Sequence, residues 1–240
     1  MKFSILLPFL SVLAPLGHAA VVITDFQVGP GGPGSNFTPT YDVSETDLIN
    51  GLTPAVADGD FSVELSGGIP VLTDGTYGTI TEPGGAVDRT HPAFGVAGGG
   101  SGTGTALVYN LAPSPFGYNI SSVWVYGGWN DNGRDAQNYT FSYSVVGDPA
   151  FTTVTTVSFN PTVGIDLQTA NRSIVLDSNQ PFLGVNVDAV RFDFPEGAEN
   201  GYTGYAELDV IGTAAIPEPD VAWLAMAGSL ALVAHRRRRA

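Results

Sequence analysis

The chain contains no cysteine among its 240 residues, which excludes disulfide bonds, thiol nucleophiles and cysteine-ligated zinc sites. Of its three histidines, only His91 lies between residues 21 and 215. One histidine is too few for a multi-histidine metal centre, and no G-x-S-x-G nucleophile motif accompanies it. The same stretch has no lysine, which excludes Walker-type phosphate binding and Schiff-base chemistry.

Basic residues of any kind are scarce in this stretch. Four arginines stand against 21 acidic residues between positions 21 and 215, so the stretch carries a net charge near −17. A surface this acidic repels phosphate backbones, and we therefore exclude nucleic acid as a partner.

The first 20 residues have the pattern of an export signal. Lys2 is followed by an apolar run at 3–16 and by the small residues of GHAA at 17–20. This order predicts a secretory signal peptide that forms a short apolar helix. Pro8 and Pro15 argue against a buried helix of the fold, because proline interrupts a helix interior.

Residues 216–240 form a second segment with a three-part order. An apolar run at 221–234 spans roughly 21 Å as a helix, which is less than the ~30 Å hydrocarbon core of a bilayer. We expect a short hydrophobic helix that holds the precursor transiently on the inner membrane, with its arginines on the cytoplasmic side. The motif and the basic cluster that flank the run are Pro217, Glu218, Pro219, Arg236, Arg237, Arg238 and Arg239.

This order resembles the PEP-CTERM sorting signal of Gram-negative bacteria. The resemblance implies recognition by an exosortase, a membrane enzyme, and release of the tail. It also implies delivery of the protein to the cell surface, the extracellular matrix or the medium. The tail therefore predicts where the protein goes and leaves its activity there open.

The body, residues 21–215, shows no sustained helical period. Short alternating or apolar runs are separated by clusters of glycine, proline, asparagine and aspartate, which predicts an all-β domain. In the clearest run, 138–146, Tyr139, Phe141, Tyr143 and Val145 share one face. Many short strands predict a single jelly roll or β-sandwich. The other candidate strands lie at 21–28, 61–65, 69–73, 105–111, 120–126, 151–159, 172–176, 187–194 and 204–211.

Several of these segments, in their order along residues 72–213, resemble a galactose-binding-like β-sandwich of the discoidin or coagulation-factor type C class. The resemblance implies this sandwich fold, which in some relatives binds carbohydrate. The segments that carry it are LTDG at 72–75, SSVWV at 121–125, YTFSYS at 139–144, VRFDF at 190–194 and ELDVIG at 207–212.

The same resemblance implies a metal site. In carbohydrate-binding relatives, an Asp-Gly-x-x-x-Thr loop and a glutamate in the last strand hold a structural calcium ion. The matching residues are Asp74, Thr76, Thr79 and Glu207, and strand alternation places Asp209 on the same face as Glu207. Ca²⁺ prefers six to eight hard oxygen ligands, which backbone carbonyls of the loop would complete. The alternative is a plain Asp-Gly turn at the end of a strand.

A second candidate site follows the predicted strand 120–126, in the segment GGWNDNGRD at 127–135. Sugar sites use a flat aromatic ring against the apolar face of the sugar and planar polar groups for its hydroxyls. The alternative is a structured loop in which the tryptophan packs inward and the arginine pairs with an aspartate. The expected sugar contacts are Trp129, Asn130, Asp131, Asn132, Arg134 and Asp135.

Together these patterns predict an exported, non-catalytic surface or exopolysaccharide-matrix protein that binds carbohydrate. Its expected partners are an exosortase, an exopolysaccharide or surface glycan and, transiently, the membrane. The alternatives are a structural or adhesive matrix protein without a sugar site and, third, a glycan-active enzyme with paired carboxylates. An exposed Trp129 favours sugar binding, a buried Trp129 favours the structural role, and a cleft with two facing carboxylates favours the enzyme.

Overall fold

A computed structural model describes residues 19–32, 35–58, 60–63, 67–81, 93–95, 105–130, 133–164, 166–195 and 202–216. These residues form β-strands and one short 3-10 helix, Ile69–Thr73, and no α-helix occurs among them. The strands are, in chain order, β1 (Ala20–Val28), β2 (Asn36–Phe37), β3 (Val56–Asp58), β4 (Asp60–Val63), β5 (Ile80–Thr81), β6 (Ala93–Gly95), β7 (Thr105–Asn110), β8 (Tyr118–Trp129), β9 (Gln137–Val145), β10 (Asp148–Phe159), β11 (Thr169–Asp177), β12 (Gly184–Phe194) and β13 (Tyr202–Ala214).

Most strands belong to one antiparallel hydrogen-bonded network that folds into two layers. The first layer has the order β1-β11-β8-β13-β6-β4, and the second has the order β10-β9-β12-β7-β3. The layers join at one corner, where Gly184 and Val187 of β12 pair with Ile120 and Tyr118 of β8. The strands β2 and β5 form a separate pair. This arrangement confirms the predicted all-β sandwich.

The two layers enclose one apolar core. Tyr139, Phe141 and Tyr143 of β9 alternate inward and are nearly inaccessible, as the period-2 pattern predicts. They meet side chains of the first layer, and the rings of Phe194 in β12 and Tyr205 in β13 have centroids 4.7 Å apart. A smaller cluster packs around Tyr126 and Tyr77, beneath the segment 37–43.

One predicted strand is wrong. Residues 69–73 form the 3-10 helix, because Pro70 lacks the N–H that a central strand donates and its fixed φ suits the first helical turn. Gly68 enters this helix with a φ of 79°, a conformation that glycine tolerates. The remaining candidate strands correspond to observed ones with shifted ends. The strands β2, β3, β5 and β6 are short and were not predicted.

The predicted terminal segments lie outside the described residues. These segments are residues 1–18 of the signal peptide and the tail from residue 217 onward, with the motif Pro217, Glu218 and Pro219 and the arginines at 236–239. Within the described ranges, no helix has the length and apolar character of a membrane span.

Candidate functional site

The first candidate site forms where the Asp74–Gly75 turn meets β13. Asp74 Oδ1 accepts hydrogen bonds from the backbone N–H of Thr76 at 2.9 Å and from Thr76 Oγ1 at 2.8 Å. Gly75 follows with a φ of 77°, in the region that favours glycine. Its N–H donates to Glu207 Oε1 at 3.2 Å. The turn therefore brings Asp74 and Glu207 together.

Two acids of β13 point away from the core and are nevertheless enclosed. Glu207 and Asp209 alternate with Leu208 and Val210, which belong to the core cluster. The segment 41–52 covers the acidic face, and the Ser44 N–H donates to Asp209 Oδ2 at 2.9 Å. Both acids are 0% exposed. This face of β13 is therefore an interior site.

A third acid, Asp47, joins them and was not predicted. Its Oδ1 accepts the backbone N–H groups of Ile49 at 2.9 Å and Val210 at 3.1 Å. Its charge contributes to raising the pKa of both Glu207 and Asp209. The sequence shows an Asx-type turn at Asp47, but nothing local indicates that the turn docks on a strand 163 positions later.

The three acids are enclosed without full hydrogen-bond compensation. Within the described part of the chain, Glu207 Oε2, Asp209 Oδ1 and Asp47 Oδ2 are buried without a hydrogen-bond partner. Burial, followed by the charge of Asp209, raises the pKa of Glu207 to about 10. Burial also raises the pKa of Asp209, to about 7, and lifts the pKa of Asp47 above its ordinary value. Enclosed carboxylates are costly unless a cation or donors compensate them.

The chemistry of these donors fits Ca²⁺, because carboxylate oxygens are hard ligands. Among the described residues, however, no three acidic or histidine side chains converge closely enough to form a metal centre by themselves. A calcium ion here would also need carbonyl or hydroxyl oxygens. Of the predicted hydroxyl ligands, Thr76 lies beside Asp74, whereas Thr79 Oγ1 hydrogen-bonds Thr38 Oγ1 at 2.9 Å.

The second candidate site begins at Trp129, the last residue of β8. The ring is only 8% exposed, and the guanidinium carbon of Arg134 lies 5.1 Å from its centroid. Gly204 of β13 approaches so closely that a Cβ there would meet the Trp129 side chain at 2.9 Å. A ring enclosed in this way does not offer the open platform expected for a sugar. The geometry matches the alternative predicted from the sequence, a structured loop in which the tryptophan packs inward.

The other described residues of this loop are also packed. Asn130 is 9% exposed and Asp135 is fully buried. The side-chain amide of Asn171 in β11 donates to the backbone carbonyl of Asp135, which fastens the loop to the first layer. Two of the predicted sugar contacts lie outside the described residues: Asp131 and Asn132.

A row of hydroxyl groups lies on the outer face of the second layer. The hydroxyls of Thr140 in β9 and Thr156 in β10 are 2.9 Å apart. The hydroxyls of Ser142 and Thr153, one step further along the same pair of strands, are 3.3 Å apart. These pairs continue the alternation that sends Phe141 and Tyr143 inward. Ser142 is only 3% exposed, so Thr140, Thr153 and Thr156 supply the accessible hydroxyls of this row, which carry no formal charge.

The sequence matches no protein-family model and no curated protein. Similar solved structures include a family 32 carbohydrate-binding module of NanJ from C. perfringens, determined with galactose (16% identity, 65% of this chain and 91% of that chain, TM-score 0.39). Others are the C-terminal domain of a chitobiase from Bacteroides fragilis (16%, 68% and 95%, 0.42) and an F5/8 type C domain from the same organism (18%, 52% and 74%, 0.33).

Proposed function

We propose that this protein is an exported, non-catalytic β-sandwich of the cell surface or exopolysaccharide matrix that binds glycan and is stabilised by calcium. The observation that carries the proposal is the enclosure of Glu207 and Asp209, each of which has one oxygen without a partner among the described residues. Acids enclosed in this way can hold a cation. They do not flank a substrate as the carboxylates of glycosidases do.

The calcium ion would be structural. Its positive charge would offset the repulsion between the carboxylates that it binds, and it would tie the Asp74 turn to β13. Because the unfolded chain lacks the assembled site, binding would stabilise the folded state. Because no three of the described acids converge, we assign two of them to the ion, Asp74 and Glu207, which the Gly75 N–H to Glu207 Oε1 bond brings together. The Thr76 hydroxyl and backbone carbonyls of the loop would complete the ligands.

Two features support glycan as the partner. The stretch 21–215 carries a net charge near −17, which disfavours anionic ligands such as nucleic acids. The outer face of the second layer presents the hydroxyls of Thr140, Thr153 and Thr156, which match the hydrogen-bonding groups of a saccharide. The glycan would be an exopolysaccharide or a surface polysaccharide of the producing cell.

The second candidate function is a structural or adhesive matrix protein without a sugar site. The burial of Trp129 favours it, because that ring is the aromatic platform expected in the loop at 127–135. In this case the sandwich would contribute bulk, acidity and protein contacts to the matrix.

The proposed destination rests on the sequence of the two ends. A signal peptide at 1–20 would export the chain, and an exosortase would recognise the tail that begins near Pro217 and contains the arginines at 236–239. The membrane contact would be transient and would end when the tail is released.

The calcium site is tested by thermal unfolding of the full chain with millimolar calcium and with a chelator. We expect calcium to raise the melting temperature by about 5–10 °C, and the isosteric Glu207→Gln to abolish that difference. The matched control is Asp166→Asn, which removes an exposed carboxylate at a φ of 62° that asparagine accepts, and should keep the full calcium response. Identical melting of the wild type with and without chelator would refute the site.

A further inference from the structure

A cavity of about 590 Å³ opens on the second layer beside the β9–β10 hairpin. We call it the hairpin pocket. Its volume lies in the range of small-ligand sites. It is lined by the end of β7, the hairpin and the start of β12, and it lies apart from the acids of β13 and the loop at 127–135. The lining residues used below are Asn110, Ser144, Asp148, Phe151 and Asp188.

The floor of the hairpin pocket is held by hydrogen bonds. Ser144 is almost fully buried, and its Oγ donates to Asp188 Oδ1 at 2.7 Å. The Leu111 N–H donates to the Asp188 carbonyl at 2.9 Å, and the Val146 N–H donates to the Asn186 carbonyl at the same distance. These bonds fix the end of β7 and the hairpin against β12. The Asp188 carboxylate is therefore oriented before any ligand arrives.

One wall of the hairpin pocket is aromatic. Phe151 is 38% exposed, although it belongs to a strand. The guanidinium carbon of Arg191 lies 5.9 Å from the ring centroid, and Arg191 Nε donates to Asp193 Oδ2 at 2.7 Å. Arg191 therefore lies beside the ring on the outer face of β12, where Asp193 pairs with its charge. The exposed part of the ring is an apolar surface of the kind that packs against a sugar ring.

From this juxtaposition we infer that the hairpin pocket binds a pyranose ring of a neutral saccharide, an inference that rests on the proposed glycan-binding function. The apolar face of the sugar would pack on Phe151. Its hydroxyls would donate to the carboxylates of Asp148 and Asp188, and the amide of Asn110 offers both a donor and an acceptor.

The charge of the hairpin pocket selects among saccharides. Among the described residues, its lining contains the carboxylates of Asp148 and Asp188 and no basic side chain, and the neighbouring Arg191 is paired with Asp193. Uronic acids and sulfated or phosphorylated sugars would therefore be repelled. The hydroxyl pairs Ser142–Thr153 and Thr140–Thr156 continue from Ser144 along the same face. A longer neutral chain would therefore find the accessible hydroxyls of Thr140, Thr153 and Thr156 along β9 and β10.

The test is retardation of the full chain in native gels that contain one polysaccharide each: galactan, mannan, xylan, dextran or soluble β-glucan, with alginate as the acidic comparison. We expect at least one neutral polymer, and not alginate, to retard the wild type. Phe151→Ala should weaken that binding about tenfold, as loss of an aromatic anchor does. Asp188→Asn, which keeps the shape, should also weaken it.

The matched control is Phe26→Ala. Phe26 is a phenylalanine of similar exposure (43%) on β1, in the other layer, and its loss should leave retardation unchanged. Wild-type retardation that neither Phe151→Ala nor Asp188→Asn alters would overturn the pocket and leave glycan binding standing. No retardation by any neutral polymer would overturn both. If Phe151→Ala melts well below the wild type, the retardation of Asp188→Asn alone decides whether the pocket binds the polysaccharide, because that substitution leaves the packing intact.

Discussion

The buried acids of β13 respond to pH in the opposite sense to paired surface acids. The pKa of Glu207 is about 10 in the folded chain, mainly because of burial, against an ordinary value of 4.5. Between these values the folded state keeps a proton that the unfolded state has released. The free energy of unfolding therefore falls as the pH rises. Asp209 acts in the same direction up to its raised pKa of about 7.

We therefore predict that the calcium-free protein is more stable at pH 5 than at pH 8. The loss should be on the order of 1 kcal/mol per pH unit, since one pKa unit corresponds to 1.36 kcal/mol. Urea unfolding in chelator at a series of pH values measures it. Glu207→Gln should flatten the profile, because the amide does not titrate. A stability that rises between pH 5 and pH 8 would contradict the raised pKa values.

Single residues also show how far the sequence predicts the site. The alternation of Glu207 and Asp209 predicts that they share a face, and the structure bears this out. The sequence does not predict their complete burial, which comes from the segment 41–52, nor the third acid, Asp47. Such contacts join residues that are far apart in the chain. No local pattern encodes them, and the inward packing of Trp129 is set in the same non-local way by β13.

At the scale of elements, the strands with clear alternation were predictable and the short ones were not. The period-2 pattern of β9 survives in the structure, because its large residues fill the space between two layers. The run at 69–73 is apolar like a strand, but Pro70 makes it a 3-10 helix. Strands of two or three residues carry too few positions for a period to appear. They form where neighbouring strands offer partners.

The contact of β8 with β13 yields a prediction at this scale. A Cβ at Gly204 would lie 2.1 Å from the Gly128 carbonyl oxygen, which is backbone and cannot turn aside. Gly204→Ala should therefore destabilise the protein by about 1–3 kcal/mol and alter the fluorescence of the buried Trp129. Denaturant unfolding with tryptophan emission measures both.

The control for this prediction is Gly164→Ala, where an added Cβ meets only the side chain of Leu167, at 3.1 Å or more. This variant should unfold close to the wild type. Equal stability of Gly204→Ala and Gly164→Ala would mean that β8 and β13 can separate at little cost, and that the contact with Gly204 does not hold the Trp129 ring in place.

At the scale of the whole molecule, the buried acids Glu207 and Asp209 connect early segments of the fold to its last strand. The Ser44 N–H bonds Asp209 across 165 positions, and the Gly75 N–H bonds Glu207 across 132. Closing such long loops costs conformational entropy, which many exported domains offset with disulfides. This chain has no cysteine. A calcium ion shared by Asp74 and Glu207 would provide a cross-link between the Asp74 turn and β13.

At the same scale, we propose that the tail determines the destination of the protein. If residues 216–240 are a sorting signal, replacing Pro217, Glu218 and Pro219 with alanine should leave an unprocessed, membrane-held precursor in the producing cell. Cell fractionation with mass measurement of the product tests this. The chain offers its own control, because Pro113 and Pro115 form a second Pro-x-Pro in a surface loop, and their replacement by alanine should leave processing intact. If the product of the tail variant has the wild-type mass and is released like the wild type, the exosortase does not recognise this motif. The sandwich would then reach its destination through the signal peptide alone, with calcium and glycan binding unaffected, because they depend on residues of the folded body.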